Sequence, residues 1–236
     1  MVDCEARSTA PLRTIVFAAR RTGSSLLVNL LRSHPQVLMH GELYHVTDIN
    51  DPVDGWARGG SGAPPPNARV FDQRRRNPEP MLRHVQCHNG GRSVVGLKVF
   101  RDHLRPHNWP VLTGWCDVCI LLRRRDTHAQ YRSLAIARRT GKWKSHVSSV
   151  ASGSPANASV VALDGTEYGM WANNNQAWYR TVAEQLAARR LEASSAPTIV
   201  ELTLEDDLRP PGDQKPRLEK LWRALRLGPS TTGGII

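Results

Sequence analysis

The sequence predicts an α/β protein with a mostly parallel central sheet and helices on both of its faces. Short β-branched apolar runs alternate with longer stretches of helical period, and the first run passes through a hydroxyl-rich turn directly into a helix. A chain of 236 residues, 40% hydrophobic and 22% charged, fits one core-forming domain, so a single domain over 1–236 is expected.

The elements follow in order. Arg13 to Ala19 reads as a strand that stops at Arg20-Arg21-Thr22-Gly23-Ser24-Ser25. Leu26, Leu27, Leu30 and Leu31 then share one helical face, which Pro35 ends by restricting His34. Val37-Leu38-Met39 is a second strand, and it places Glu42 just past a strand end, where sites in α/β sheets collect. From Asp51 to Pro80 Gly, Pro and Arg crowd together, including Gly59-Gly60-Ser61-Gly62 and Pro64-Pro65-Pro66, so a long mobile loop is expected there.

Met81 to His88 reads as a short helix and Ser93 to Phe100 as a buried strand. Asp117 to Leu122 is another strand, running into Arg123-Arg124-Arg125. Cys116 and Cys119 fall in an extended run, where odd spacing sends side chains to opposite faces, so they read as small core residues and not as ligands of one ion. Thr127 with Gln130 forms a capping box for a helix that Gly141 stops. Ser145 to Gly165, rich in Ser, Ala and Gly, is a second expected mobile segment. Tyr168 to Arg190 is a long helix, Thr198 to Leu204 a strand, and Lys215 to Leu227 a final helix before Gly228 and Pro229.

The net charge of +11 points to anionic partners, and with only five lysines the excess is almost entirely arginine. No apolar run approaches the roughly 18 residues of a membrane helix. The N-terminus lacks the apolar stretch of an export signal, and four cysteines are few, so a cytoplasmic chain is expected.

Two places could bind anions. At Arg21-Thr22-Gly23-Ser24-Ser25, backbone N–H groups, the positive end of a helix dipole and several hydroxyls converge on one point, a P-loop-like strand-loop-helix. A plain helix cap by Ser24 or Ser25 is the alternative. The nucleotide-kinase pattern G-x-x-x-x-G-K-[ST] and the dinucleotide pattern G-x-G-x-x-G are both absent, which leaves a metal-free nucleotide kinase without its lysine motif. The second place is Arg125, ahead of a helix that carries Ser133 about two turns on, so that the two side chains could clasp one phosphate.

The stretch from Arg21 to Glu42, R-T-G-S-S-L-L-V-N-L-L-R-S-H-P-Q-V-L-M-H-G-E, resembles the 5′-phosphosulfate loop, helix and following G-E segment of sulfotransferases that use 3′-phosphoadenosine 5′-phosphosulfate (PAPS). The Arg125-x7-Ser133 spacing is similar to the 3′-phosphate motif of the same family, and Ser133 to Trp143 looks like the bacterial branch that includes trehalose and nodulation-factor sulfotransferases. The resembling segments cover 13–45 and 94–143, with Thr198 to Asp207 a weaker echo.

The resemblance implies PAPS as sulfuryl donor, no metal, and a hydroxylated small-molecule acceptor such as a sugar or glycoside. It assigns Arg21, Thr22, Gly23, Ser24 and Ser25 to the 5′-phosphosulfate, Arg125 and Ser133 to the 3′-phosphate, and Glu42 to the general base. Arg21 would also stabilise the bridging oxygen as it gains charge. The loop reads R-T-G-S-S where the family usually has R-S-G-S-T, and the C-terminal Arg-Lys-Gly loop of cytosolic relatives has no counterpart.

Other residues carry weaker signals. His45 is the rival base, because an unperturbed imidazole titrates near neutrality. Arg20 reads as a solvated or structural residue, and Lys98 is left unassigned. His84 and His88 have metal-pair spacing but no H-E-x-x-H pattern, and read as solvated helix residues. A nucleic-acid or polyanion binding module using the arginines at 74–76 and 123–125 is the alternative function, although no nucleic-acid partner is expected. A homodimer is compatible with the resemblance and has no sequence signature.

Overall fold

In a computed structural model the described residues are 10–45, 68–141, 143, 163–192, 196–209 and 218–228. Five strands, β1 (Leu12–Ala18), β2 (Val37–Met39), β3 (Val94–Phe100), β4 (Val118–Arg123) and β5 (Thr198–Thr203), form one sheet in the order β2-β3-β1-β4-β5. Every pairing is parallel. The α/β expectation therefore holds, with β1 at the centre.

Alternation along β1 builds two cores. Ile15 and Phe17 face one side and pack with Leu82 and Val85 of α3 (Glu79–Cys87), Leu112 of α4 (Trp109–Trp115), and Trp178 and Val182 of α6 (Gly165–Glu192). Val16 and Ala18 face the other side, against Leu27, Val28 and Leu31 of α1 (Ser24–Arg32) and Leu221 of α7 (Glu219–Ala224). Gly96 of β3 lies on that second side. A Cβ there would run into the Thr14 carbonyl oxygen and the Met39 sulfur, so only glycine lets the strands approach this closely.

The structure corrects several expectations. The loop expected over 51–80 contains α2 (Ala68–Arg76) and the first turn of α3, while residues 46–67 lie outside the described residues. Phe71 is buried in the core and Arg75 donates to the carbonyls of His103 and Asp102, so tertiary contacts hold a helix that its arginines do not advertise. The segment expected to be mobile over 145–165 also falls outside the described residues up to 162, and α6 begins at Gly165.

Cys116 and Cys119 do not sit on opposite faces of one strand. Cys116 ends α4, β4 begins only at Val118, and the resulting bend brings the two sulfurs together as a buried disulfide. The capping box is replaced as well: α5 (Thr127–Thr140) is capped by Asp126, whose Oδ1 accepts from the Ala129 N–H, and the Gln130 amide donates to the Arg20 carbonyl instead. Gly141 closes α5 in the left-handed region, as expected. The last helix is shorter than its periodicity suggested, and 210–217 lie outside the described residues. Among the described residues no helix is long and apolar enough to cross a membrane.

Candidate active site

The carboxyl ends of β2, β1 and β4 lead into the segments singled out by sequence. Between β1 and α1 the chain turns through two left-handed residues, Arg21 at φ 68° and Gly23 at φ 84°. At Gly23 a Cβ would also meet the Leu204 side chain, 2.5 Å away, so glycine is required both by conformation and by space. Gly23 is the helix cap and no side chain caps α1, so the cap by Ser24 or Ser25 does not form. The N–H groups of the first turn have no intrahelical acceptor, which leaves an electropositive terminus.

The loop hydroxyls differ in what they can do. Thr22 is fully buried and its hydroxyl donates to the Ala19 carbonyl, which closes the turn. Ser24 is buried, whereas Ser25 is exposed and its Oγ accepts from Lys98 Nζ at 3.0 Å. Arg21 reaches sideways: its Nε donates to Ser133 Oγ at 2.8 Å and its NH1 to the Trp143 carbonyl at 2.6 Å. Burial and the neighbouring Arg124 guanidinium both lower its pKa, which marks a cationic neighbourhood.

Glu42 follows β2, and the chain just before it stays beside β3 because the His40 N–H donates to the Gly96 carbonyl and the Lys98 N–H to the Gly41 carbonyl. Its buried carboxylate is flanked by two groups. Lys98 Nζ lies 3.1 Å from Oε1 and His103 Nε2 lies 3.4 Å from Oε2. Burial alone would raise the carboxyl pKa, but His103 and Lys98 outweigh it and hold the group at about 2. His103 is fully buried, and its Nδ1 accepts from the Phe100 N–H, so the proton of the neutral ring resides on Nε2 and faces Glu42. Burial keeps that ring neutral by lowering its pKa against the pull of Glu42.

Lys98 thus stands between the loop serine and the carboxylate, a place not assigned from sequence. It lies opposite Val16 on the α1 side of the sheet. A lysine within V-V-G-L-K-V-F, a strand buried at every position, was itself the available signal, because such a charge needs a partner. His103 had no comparable signal. His45 sits one layer out, partly exposed, with its ring 5.7 Å from that of His103 and edge-on to it.

Arg125 and Ser133 each have a partner within the chain. The Arg125 guanidinium pairs with Asp206 at 2.9 Å, while Glu205 accepts from the N–H groups of Arg125 and Asp126 at the start of α5. Ser133 is engaged by Arg21. Other members of the two arginine clusters also have partners in the chain: Arg75 on carbonyls, Arg76 on Asp72, Arg124 beside Glu205, and Arg123 over the Tyr179 ring. Arg20 pairs with Asp102 at 2.9 Å, which fits the structural of its two expected readings. His84 and His88 stack with ring centroids 3.6 Å apart, and among the described residues no group of three His, Cys, Asp or Glu could hold a metal.

No family model matches the chain. Nodulation protein H of Rhizobium meliloti is 32% identical over 141 residues, which cover 58% of this chain and 52% of that protein. Nodulation protein H of Rhizobium tropici is 30% identical over 138 residues, 57% of this chain and 49% of the relative. The chain spans about half the length of the curated relatives it matches. Similarity to these proteins bears out the resemblance of the two motifs to the bacterial carbohydrate branch of the sulfotransferases.

Proposed function

We propose that the chain transfers a sulfuryl group from PAPS to a hydroxyl of a carbohydrate or glycosylated small molecule. The observation that carries the reading is Lys98 Nζ, placed between Ser25 of the anion loop and Glu42, so that one cation touches both the donor-binding and the base position.

Arg21, the α1 terminus and Ser25 would hold the 5′-phosphosulfate, with Arg125 and Ser133 for the 3′-phosphate. Arg21 and Lys98 would neutralise charge that builds on the bridging oxygen as the sulfur–oxygen bond to the phosphate breaks. Glu42 would accept the proton of the acceptor hydroxyl as its oxygen bonds to sulfur. A carboxylate held at about 2 is a weak base while Lys98 sits against it. Attraction of the ammonium toward an incoming phosphosulfate would loosen that contact and restore basicity to Glu42.

Incubation of the chain with labelled PAPS and a panel of sugars and glycosides tests the reading. Labelled sulfate ester on at least one sugar hydroxyl is the expected result. Absence of transfer, together with absence of any preference for 3′-phosphorylated over unmodified adenine nucleotides, overturns it.

A further inference from the structure

The two anion-binding loops leave neighbouring parallel strands. The ladder between β1 and β4 ends at Ala18 opposite Leu122, and beyond it the chain diverges, toward α1 on one side and α5 on the other. In an uninterrupted parallel ladder the next rung would use backbone groups at this point. Here the phenol of Tyr179, from the middle of α6, occupies it. The Tyr179 hydroxyl accepts from the Ala19 N–H at 2.8 Å and donates to the Leu122 carbonyl at 2.5 Å. One oxygen therefore joins the first backbone donor past β1 to the carbonyl of Leu122, the last β4 residue in register with β1, while holding the two apart.

The placement is rigid. Tyr179 is buried, its ring lies 4.7 Å from Trp178, and Trp178 packs in turn on Trp109 at 5.5 Å. The Arg123 guanidinium covers the Tyr179 ring at 5.0 Å. The residues pinned lie at the edge of each loop: Ala19 precedes Arg20 to Ser25, and Leu122 is followed by Arg123, the last residue of β4, and then by Arg124 to Asp126. Further out the same loops are tied by Gln130 to the Arg20 carbonyl at 2.7 Å and by Arg21 to Ser133 at 2.8 Å.

We infer that Tyr179 is a positioning residue that sets the separation between the two anion loops, and so selects ligands bearing two phosphate groups at the spacing of a 3′,5′-bisphosphorylated nucleoside. The inference rests on the proposed donor. Removal of the hydroxyl lets Ala19 and Leu122 pair directly or leaves both unsatisfied, and either change moves one loop relative to the other without touching a residue at either anion site. A ligand that uses both sites behaves as a bivalent one, whose gain from the second contact depends on the span. A ligand that uses one site does not sense the span.

Calorimetric titration of the full chain and of Tyr179→Phe with 3′-phosphoadenosine 5′-phosphate, 5′-AMP and 3′-AMP tests this. Affinity for the bisphosphate is expected to fall about tenfold in the variant, with each monophosphate changed by less than about threefold. Equal losses for all three ligands mean a general structural role and overturn the inference, as does bisphosphate affinity within about twofold of wild type. Amide hydrogen exchange of the unliganded wild-type chain is the companion measurement, independent of how the variant folds. Ala19 should exchange as slowly as the β1 core, and exchange at the rate of an open loop overturns the pin. A wild-type chain that binds none of the nucleotides refutes the donor reading itself, an outcome separate from rapid exchange at Ala19.

Discussion

Arg21 Nε donates to Ser133 Oγ at 2.8 Å, which joins two residues 112 positions apart in the chain. The first lies in the turn after β1 and the second on the inner face of α5. Sequence alone suggested two separate clasps, one for each phosphate. The hydrogen bond makes them one surface, because the arginine of one motif is oriented by the hydroxyl of the other.

Ser133→Ala should therefore weaken both 5′-AMP and 3′-phosphoadenosine 5′-phosphate. The lost partner is a hydrogen bond to a charged group, worth roughly 1.5–3 kcal/mol when well shielded and less at this half-buried position, so a loss of about tenfold is expected for each. Calorimetric titration decides it. Unchanged 5′-AMP affinity would mean that Arg21 holds its position without Ser133.

Arg125 should respond differently. Its ion pair with Asp206 is exposed, with 63% and 50% of the two side chains accessible, and exposed pairs contribute little. An incoming phosphate can take the guanidinium at small cost. Arg125→Ala should lower bisphosphate affinity by about tenfold or more, while Asp206→Asn, which removes the competing anion, should raise it two- to fivefold, by roughly 0.4–1 kcal/mol. 5′-AMP should be indifferent to both changes. Weaker bisphosphate binding by Asp206→Asn would show that Asp206 holds Arg125 in place and does not compete for it.

The parts of this architecture that were legible in sequence are those with local causes. The Arg13 to Ala19 run, the hydroxyl turn, the helix stopped before Pro35 and the αL glycine after α5 each follow from periodicity or turn chemistry. α4 was not legible, because Trp109-Pro-Val-Leu-Thr-Gly-Trp115 carries a proline and a glycine in a seven-residue helix. The partners of Glu42 depend on tertiary geometry. Lys98 arrives from a neighbouring strand and His103 from the turn after it, and no spacing in the chain encodes either contact. Tyr179 is the extreme case, a polar tip on a 28-residue helix whose role exists only because two distant strands part beneath it.

Gly23→Ala tests the anion loop through its backbone. A left-handed φ costs a residue with a side chain roughly 1–2 kcal/mol, and the added methyl must also displace Leu204. Denaturant unfolding should register a loss of at least about 1 kcal/mol, together with weaker 5′-AMP binding. Wild-type stability and affinity in the variant would mean that the loop rearranges freely and is not preorganised.

Glu42→Gln should lower kcat by about 10²–10⁴ if the carboxylate is the base, with bisphosphate affinity preserved. Stability will fall too, because Lys98 loses its buried counter-charge. The pH dependence of that loss has a definite sign. The folded carboxyl is held at about 2, below its ordinary 4.5, so its stabilising contribution is complete above about pH 4.5 and disappears as pH falls toward 2. The gap in Tm between wild type and variant should be wide at neutral pH and close across that window. A gap constant from pH 7 to pH 2.5 would mean that the Glu42 carboxyl is not held low, and normal turnover by the variant would move the base to His45.

Lys98→Met separates the two tasks proposed for the lysine. With the ammonium gone, burial is the dominant influence left on Glu42 and it raises the carboxyl pKa, opposed by His103, whose Nε2 lies 3.4 Å from Oε2. In wild type the carboxylate is ionised at any practical pH, so the kcat/KM profile, which reports the free enzyme, should show no acid limb from Glu42 above about pH 4. In Lys98→Met an acid limb should appear above about pH 4.5, because the proton must now leave a buried carboxyl before it can act as base. The plateau should drop as well, since the cation beside Ser25 no longer offsets charge on the departing phosphate. Lys98→Arg, which keeps the charge, should abolish the new limb even if the plateau stays low. A Lys98→Met profile with the wild-type shape would place Lys98 outside the control of Glu42, whatever its effect on rate.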